Sequence, residues 1–285
     1  MRTIYKEIIR TIEELEIWRR KHKSEINFIP TMGSIHKGHE ELIKSSKRDG
    51  AITVVSIFLN KLQFSDVKDY ENYPVDLNSD LKILKTLPIN YVFVPNPKKF
   101  VNDEFSSLVK INTYEGKLCD KIRRGHFQGV STIITKFLIL LRPDLICLGE
   151  KDFQQTLVIK KLINDFNFKT KVFVNKTIRE DDGLAYSSRN LTLSVQQRKS
   201  ASQIYESLTY LKKKLTEKHF DLLIIKNIKS KLKKNGFKIY YFEILKEHNL
   251  EPVDEERCGY RAFISVDLGG VNLIDNLSLG VRKFR

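Results

Sequence analysis

The sequence has the pattern of an α/β fold: a parallel sheet with helices on both faces, followed by a smaller C-terminal α+β domain. Three observations predict it. Apolar runs at Ile26–Ile29, Ile52–Phe58, Tyr91–Val94, Leu145–Leu148 and Val172–Val174 have the length and residue types of strands buried on both faces. Segments of helical spacing lie between several of them, through Leu77, Leu81, Leu84 and Leu87 in one case and Ile133, Phe137, Leu140 and Leu141, ahead of Pro143, in another. After about residue 180 the alternation gives way to two amphipathic helices and then three strand-like runs. The expected division is a Rossmann-like domain over residues 1–180 and a smaller α+β domain over 181–285, joined at the glycine-containing loop Asp181-Asp182-Gly183.

Each element has a local reason. Ile26–Ile29 is followed by two glycines and then a helix-like segment, which is the order strand, loop, helix. Gly149 and its neighbours repeat that order after Leu145–Leu148. In the second domain Ser194 is a suitable N-cap for a long helix whose apolar stripe runs through Ile204, Leu208 and Leu211. A second helix is expected over Leu222 to Lys234, stopping near Gly236. Strands are expected at Ile239–Leu245, Ala262–Leu268 and Val271–Ile274, the last two joined by the Gly269-Gly270 turn of a hairpin.

Composition narrows the class. The chain has 285 residues, 41% of them hydrophobic, enough for a sizeable core. Fifty Lys and Arg against 35 Asp and Glu leave a net charge of +15, which suits nucleic acid, a membrane surface or small anionic substrates. The densest runs, Lys212–Lys214 and Lys229–Lys234, read as solvated helix faces, and no aromatic residues are interleaved with them as base stacking would need. Neither nucleic acid nor membrane is therefore an expected partner. Cys119, Cys147 and Cys258 are odd in number and widely spaced, as in a reduced, cytoplasmic protein. No apolar signal core opens the chain, and no stretch approaches the length of a membrane span.

The loop Thr31-Met32-Gly33-Ser34-Ile35-His36-Lys37-Gly38-His39 is the most informative stretch. Its glycines permit close approach of the backbone to a ligand, and the helix N-terminus behind it favours an anion. His36 and His39 lie three apart, so in a helical turn both imidazoles share a face and point at the same phosphate. The pattern is neither a P-loop nor a Gly-x-Gly-x-x-Gly loop. Its form, His-x-Gly-His, resembles the nucleotide loop of the adenylyl-transferring superfamily that includes class I aminoacyl-tRNA synthetases.

Other blocks follow strand ends, where ligands bind in such sheets. Asn60 and Gln63 emerge after Ile52–Phe58, either as substrate-facing amides or as turn residues. In Gly149-Glu150-Lys151-Asp152, Lys151 reaches phosphate as a mobile charge; Asp152 has three readings, as helix cap, ribose ligand or Mg²⁺ ligand. Gln155 shares a helix face with Asp152. Tyr186-Ser187-Ser188-Arg189 beside Gly183 has the form of a mobile phosphate clamp or of an ordinary linker. Arg123-Arg124-Gly125-His126-Phe127 either helps bind an anion or caps and packs the next helix.

In order and spacing these blocks resemble the pantothenate synthetase family, the pantoate:beta-alanine ligases. The matching stretches are Pro30–His39, Val55–Asn60, Gln63-Phe64, Tyr73-Pro74, Gly125–Phe127, Gly149–Gln155 and Asp182–Asn190, with a weaker match at Leu273–Asn276. The resemblance implies an ATP-dependent ligase that condenses pantoate with beta-alanine through pantoyl adenylate, releases AMP and pyrophosphate, needs Mg²⁺ and forms a homodimer. It implies that Met32, Gly33, Ser34, Ile35, His36, Lys37, Gly38, His39, Gly149, Glu150, Lys151, Asp152, Ile178, Tyr186, Ser187, Ser188 and Arg189 bind ATP. Gln63 and Gln155 would hold pantoate, and Gln63 would also contact beta-alanine. His39, His36 and Lys151 are the expected catalytic residues, and the small domain is expected to close as a lid. The metal ligands stay open, with Asp80 and Asp152 as candidates.

Four departures from the family pattern stand out: Lys61 and Arg124 replace prolines, Gln128 replaces an arginine, and Tyr186 replaces an aliphatic residue. Losing proline removes a fixed φ, so looser loops are expected at Lys61 and Arg124. A nucleotidyltransferase acting on a phosphorylated acceptor is the rival reading within the same superfamily.

Overall fold

Apolar alternation builds the larger sheet. In the computed structural model, which describes residues 7–215, 223–282 and 284, six strands pair in parallel: β1 (Glu7–Ile9), β2 (Ile26–Thr31), β3 (Ile52–Ile57), β4 (Tyr91–Phe93), β5 (Leu145–Gly149) and β6 (Lys171–Asn175), in the order β1-β4-β3-β2-β5-β6. Successive residues of a strand point to opposite faces. Phe28, Val54, Phe93 and Ile146 accordingly join one core, with Leu15 and Trp18 of the helix Ile12–Lys21, Phe137 of His126–Leu141 and Leu162 of Phe153–Asp165. Their neighbours Ile29, Val55, Val92 and Cys147 join a second core, with Ile43 of Lys37–Ser46 and Leu84 of Leu77–Leu84. Both faces are therefore dry, which is why the strands read as unbroken apolar runs.

β2 and β5 are neighbours although the chain visits β3 and β4 between them. The strand order therefore reverses at this pair, and ligands bind such sheets at the carboxyl ends of strands where the order reverses. The His36–His39 loop follows β2, and Glu150–Asp152 follows β5. Sequence spacing did not reveal β1 or the helix Ile12–Lys21. β1 has only three residues, and the helix start rests on a capping box between Thr11 and Glu14.

The second unit has its own sheet, β7 (Lys238–Lys246), β8 (Cys258–Leu268) and β9 (Val271–Arg282), antiparallel in that order. Leu268 pairs with Val271 across Gly269 and Gly270, both at positive φ, as the hairpin turn requires. The expected long helix is two, Val195–Ala201 and Gln203–Lys214, separated at Ser202. Ser194 caps the first through a box with Gln197. The last helix is Leu223–Lys234; Leu222, its expected first residue, lies outside the described residues. Leu208, Leu211, Ile228, Leu232, Phe242, Ile264 and Val266 form this unit's core.

The units divide as residues 1–112 with 123–176, and 113–122 with 177–285. The boundary thus falls just before the expected 180/181. Arg179 bridges to Ala185 and pairs with Asp275, which ties 177–180 to the second unit. Residues 113–122 belong there too. Lys117 Nζ donates to the Asn249 carbonyl, 3.1 Å, and pairs with Glu251; Cys119 Sγ meets the Tyr241 hydroxyl at 3.1 Å; Lys121 faces Glu243 at 3.6 Å.

Candidate functional site

Two histidines cap each other. His36 stands at the N-cap of Lys37–Ser46 in an extended conformation, and its Nδ1 accepts the Gly38 N–H at 3.1 Å. The His36 N–H in turn donates to His39 Nδ1 at 3.4 Å. This is a capping box with imidazoles in place of the usual Ser and Glu. The rings stack with centroids 4.0 Å apart. Because each Nδ1 is an acceptor, a neutral ring carries its proton on Nε2. Burial, the neighbouring His39 and the Lys151 charge lower the His36 pKa to about 2. Burial lowers that of His39 to about 4, with Lys151 adding to the effect and Asp152 opposing it. At neutral pH the pair is therefore two uncharged Nε2–H donors, and Lys151 lies close enough to act electrostatically on both rings and Asp152 on His39.

A buried carboxylate holds the loop ahead of them. Asp80, 2% exposed on Leu77–Leu84, accepts the Ser34 N–H at 2.9 Å and the Ile35 N–H at 2.6 Å, one on each oxygen. Gly33 and Ser34 both sit at positive φ to make the turn. A Cβ at Gly33 would lie 2.8 Å from Asp80 Oδ2, so glycine is required there. Asp80 thus anchors the loop with both oxygens, and its reading as a metal ligand is corrected. Its pKa is raised by burial, against the pull of those two N–H groups.

The Asn60–Gln63 turn is held just as closely. Asn60 is 2% exposed and serves the turn, as one of its two readings expected. Its Oδ1 caps the turn at the Leu62 N–H, 3.1 Å, while Nδ2 donates to Gln63 Oε1 at 3.0 Å and to the Gly129 carbonyl at 3.1 Å. Gln63 Nε2 points at Met32 Sδ, 2.7 Å away, which brings the expected pantoate residue against the loop that follows β2. His126 Nδ1 lies 2.8 Å from the Gln63 carbonyl. A Cβ on Gly129 would lie 2.2 Å from the Leu62 carbonyl oxygen, so helix His126–Leu141 approaches the turn more closely than any side chain allows. The turn stays closed with Lys61 in place of proline. The Gly125–Phe127 block serves as helix start and brace, with Gly125 at positive φ in the N-cap position.

Asp152 makes no side-chain cap bond at the helix Phe153–Asp165, so its cap reading is withdrawn; its side chain is exposed. Gln155 is half-buried in that helix's first turn. Among the described residues no group of three or more His, Cys, Asp or Glu is placed to hold a metal ion.

In the second unit Ile178, Tyr186 and Ser187 to Arg189 belong to one hydrogen-bonded hairpin. The Tyr186 N–H donates to the Ile178 carbonyl at 3.1 Å, and Ser187 Oγ accepts the Arg189 N–H at 3.3 Å at the start of a 3₁₀ turn, Ser188–Thr192. The turn at Asp181–Gly183 is braced, contrary to a loose linker. Arg198 pairs with Asp182 at 2.5 Å and Glu180 at 2.8 Å, and holds the Asp182 carboxyl below its usual range. Gly183, at φ +90, admits the Tyr205 ring where a Cβ would overlap it.

Comparison with known proteins finds relatives over nearly the whole chain. The Pantoate-beta-alanine ligase family profile matches residues 7–278. A pantothenate synthetase of Thermosipho africanus is 40% identical over 274 residues, 95% of this chain and 99% of the relative. One from Wigglesworthia glossinidia brevipalpis is 39% identical, over 92% of this chain and 93% of the relative. The crystal structure of pantothenate synthetase from Thermus thermophilus superposes with a TM-score of 0.90 at 30% identity, covering 96% of this chain and all (100%) of that one. Pantoate-beta-alanine ligase from Francisella tularensis, crystallised with beta-gamma ATP and beta-alanine, gives 0.81 at 32% identity over 97% of this chain and 98% of that one. No helix among the described residues is long and apolar enough to cross a membrane.

Proposed function

The chain belongs to the pantoate-beta-alanine ligase family, and from that premise we propose how its residues condense pantoate with beta-alanine, using ATP as co-substrate. The observation that carries the reading is the reciprocal capping of His36 and His39, which fixes the proton of each neutral ring on Nε2 at one helix N-terminus. In this reading the pantoate carboxylate attacks the α-phosphorus, a carboxyl O–P bond forms, and the P–O bond to pyrophosphate breaks. His36, His39 and Lys151 take up the charge developing on the phosphates, so catalysis is positioning and electrostatics without a protein nucleophile. The neutral amine of beta-alanine then attacks the acyl carbon of pantoyl adenylate; a C–N bond forms, the C–O bond to AMP breaks, and the nitrogen's proton leaves with the departing AMP phosphate or to solvent.

In the same reading Met32 to His39, Gly149 to Asp152, Ile178 and Tyr186 to Arg189 supply the ATP contacts. Gln63 and Gln155 hold pantoate, and Gln63 also meets beta-alanine; support comes from the amide bonds that fix its orientation. Mg²⁺ binds mainly through substrate phosphates and water with one or two carboxylates, and the exposed, uncapped Asp152 fits that part. Bound there, Mg²⁺ would neutralise phosphate charge.

Purified protein given ATP and Mg²⁺ should release pyrophosphate only when pantoate is added, and AMP only when beta-alanine follows. Release driven by a phosphate-bearing acceptor instead would favour a nucleotidyltransferase and overturn the assignment. We also propose a cytoplasmic homodimer; sedimentation should then give about twice the 33.3 kDa of one chain.

A further inference from the structure

Two fragments of the sequence have no place in the reaction above: Arg179, just ahead of the Asp181–Gly183 turn, and Asp275-Asn276 in the strand β9. They meet. Arg179 donates to Asp275 through both ends of its guanidinium, Nη1 to Oδ2 at 2.6 Å and Nη2 to Oδ1 at 3.0 Å. The Asp275 side chain is only 2% exposed and that of Arg179 15%. Nη1 also donates to the Gly183 carbonyl at 3.0 Å, inside the hairpin, and the guanidinium lies 3.8 Å from the Tyr205 ring centroid. Beyond Asp275 the chain of bonds continues: Asn276 Oδ1 accepts from Arg261 Nη1 at 2.5 Å, and Arg261 Nε donates to Glu247 at 3.0 Å.

The hairpin that Arg179 fastens runs directly into Tyr186–Arg189. Arg179 bridges Ala185, and the next backbone bond joins Tyr186 to Ile178. A bidentate, buried fork fixes orientation as well as distance, which a lysine could not do. We propose that Arg179 and Asp275 are positioning residues for ATP: they attach the Tyr186–Arg189 segment to the antiparallel sheet at a fixed angle, so that its hydroxyls and guanidinium are aimed before the nucleotide arrives. The inference rests on the reading that Tyr186–Arg189 binds ATP.

The test uses the full chain. Asp275→Asn and Arg179→Lys should each weaken ATP binding, measured by calorimetry and as KM, by roughly tenfold to a hundredfold, because small misplacements far from the chemistry have effects of that size. KM for pantoate should stay within about twofold, a split that general loosening of the fold would not give. Lys246→Met, which breaks the cluster with Asp254 and Glu256 in the same unit, is the control and should leave ATP binding unchanged. Arg189→Ala tests the underlying reading. If Arg189→Ala weakens ATP binding and the two anchor variants do not, the anchor fails alone. If Arg189→Ala itself has no effect, the ATP reading of the segment fails. Should Asp275→Asn not fold, Arg179→Lys, which keeps the charge, decides the matter.

Discussion

The His36–His39 loop and the Tyr186–Arg189 hairpin are braced in different ways. The His36–His39 loop is held by backbone N–H groups on neutral rings and on one buried carboxylate, Asp80. The Tyr186–Arg189 hairpin is held by ion pairs, Arg179 with Asp275 and Arg198 with Glu180 and Asp182. Neutral donors aimed by backbone do not respond to salt, and they need no counter-charge when phosphate arrives. Ion pairs fix a strap firmly where they are buried and weakly where they are wet. Under the proposed function the first construction suits the reacting phosphates and the second a segment that only has to be presented.

The largest effect that would break this contrast is expected at His39. His39→Ala should keep the fold and lose about 10² to 10³ in pantoate-dependent pyrophosphate release; near-normal release would end the catalytic assignment. Next comes Asp80→Ala, which leaves the Ser34 and Ile35 N–H groups buried without their acceptor. It should cost about 1–3 kcal/mol in urea unfolding, with adenylate formation falling alongside, and an unchanged midpoint would mean the loop holds itself.

The pH response sharpens the comparison further. Both imidazole pKa values are depressed in the folded state, from 6.5 to about 2 for His36 and about 4 for His39, so the unfolded chain takes up protons that the folded one refuses. Their contribution to stability is complete above pH 6.5 and declines as the pH falls below it. His36→Asn, which keeps a capping side chain, should flatten the loss between pH 6.5 and 4.5 relative to the parent chain; parallel curves would show that the His36 ring titrates normally. The smallest effect is expected at Arg198, whose pairs are partly exposed. Arg198→Ala should cost no more than about 1 kcal/mol, less in high salt, as read from thermal unfolding.

How far the sequence could be read follows from range. Strands buried on both faces announce themselves as apolar runs, and Gly269-Gly270 marked a hairpin that formed as expected. The His36–His39 loop and the Glu150–Asp152 turn were legible as strand–loop–helix junctions because each lies within a few residues of its strand end. The supports were not. Asp80 reaches a loop some 45 residues earlier, and Asn60 reaches Gly129 across 69. No local pattern encodes such pairs. His36 and His39 were visible as two donors, yet histidine is not a customary N-cap, so their grip on each other was hidden. Asp80 looked like a metal candidate for the same reason, since a carboxylate in a sequence carries no sign of what its oxygens accept.

The excursion of residues 113–122 into the second unit has a consequence for biosynthesis. A ribosome releases that stretch well before Tyr241, Glu243, Asn249 and Glu251, the partners that Cys119, Lys117 and Lys121 meet in the finished protein. The parallel sheet can close around β5 and β6 while this stretch still waits for its docking place to be translated. Docking of this stretch is thereby tied to the synthesis of β7 and the turn after it, and a nascent chain stalled before β7 carries residues 113–122 without these partners.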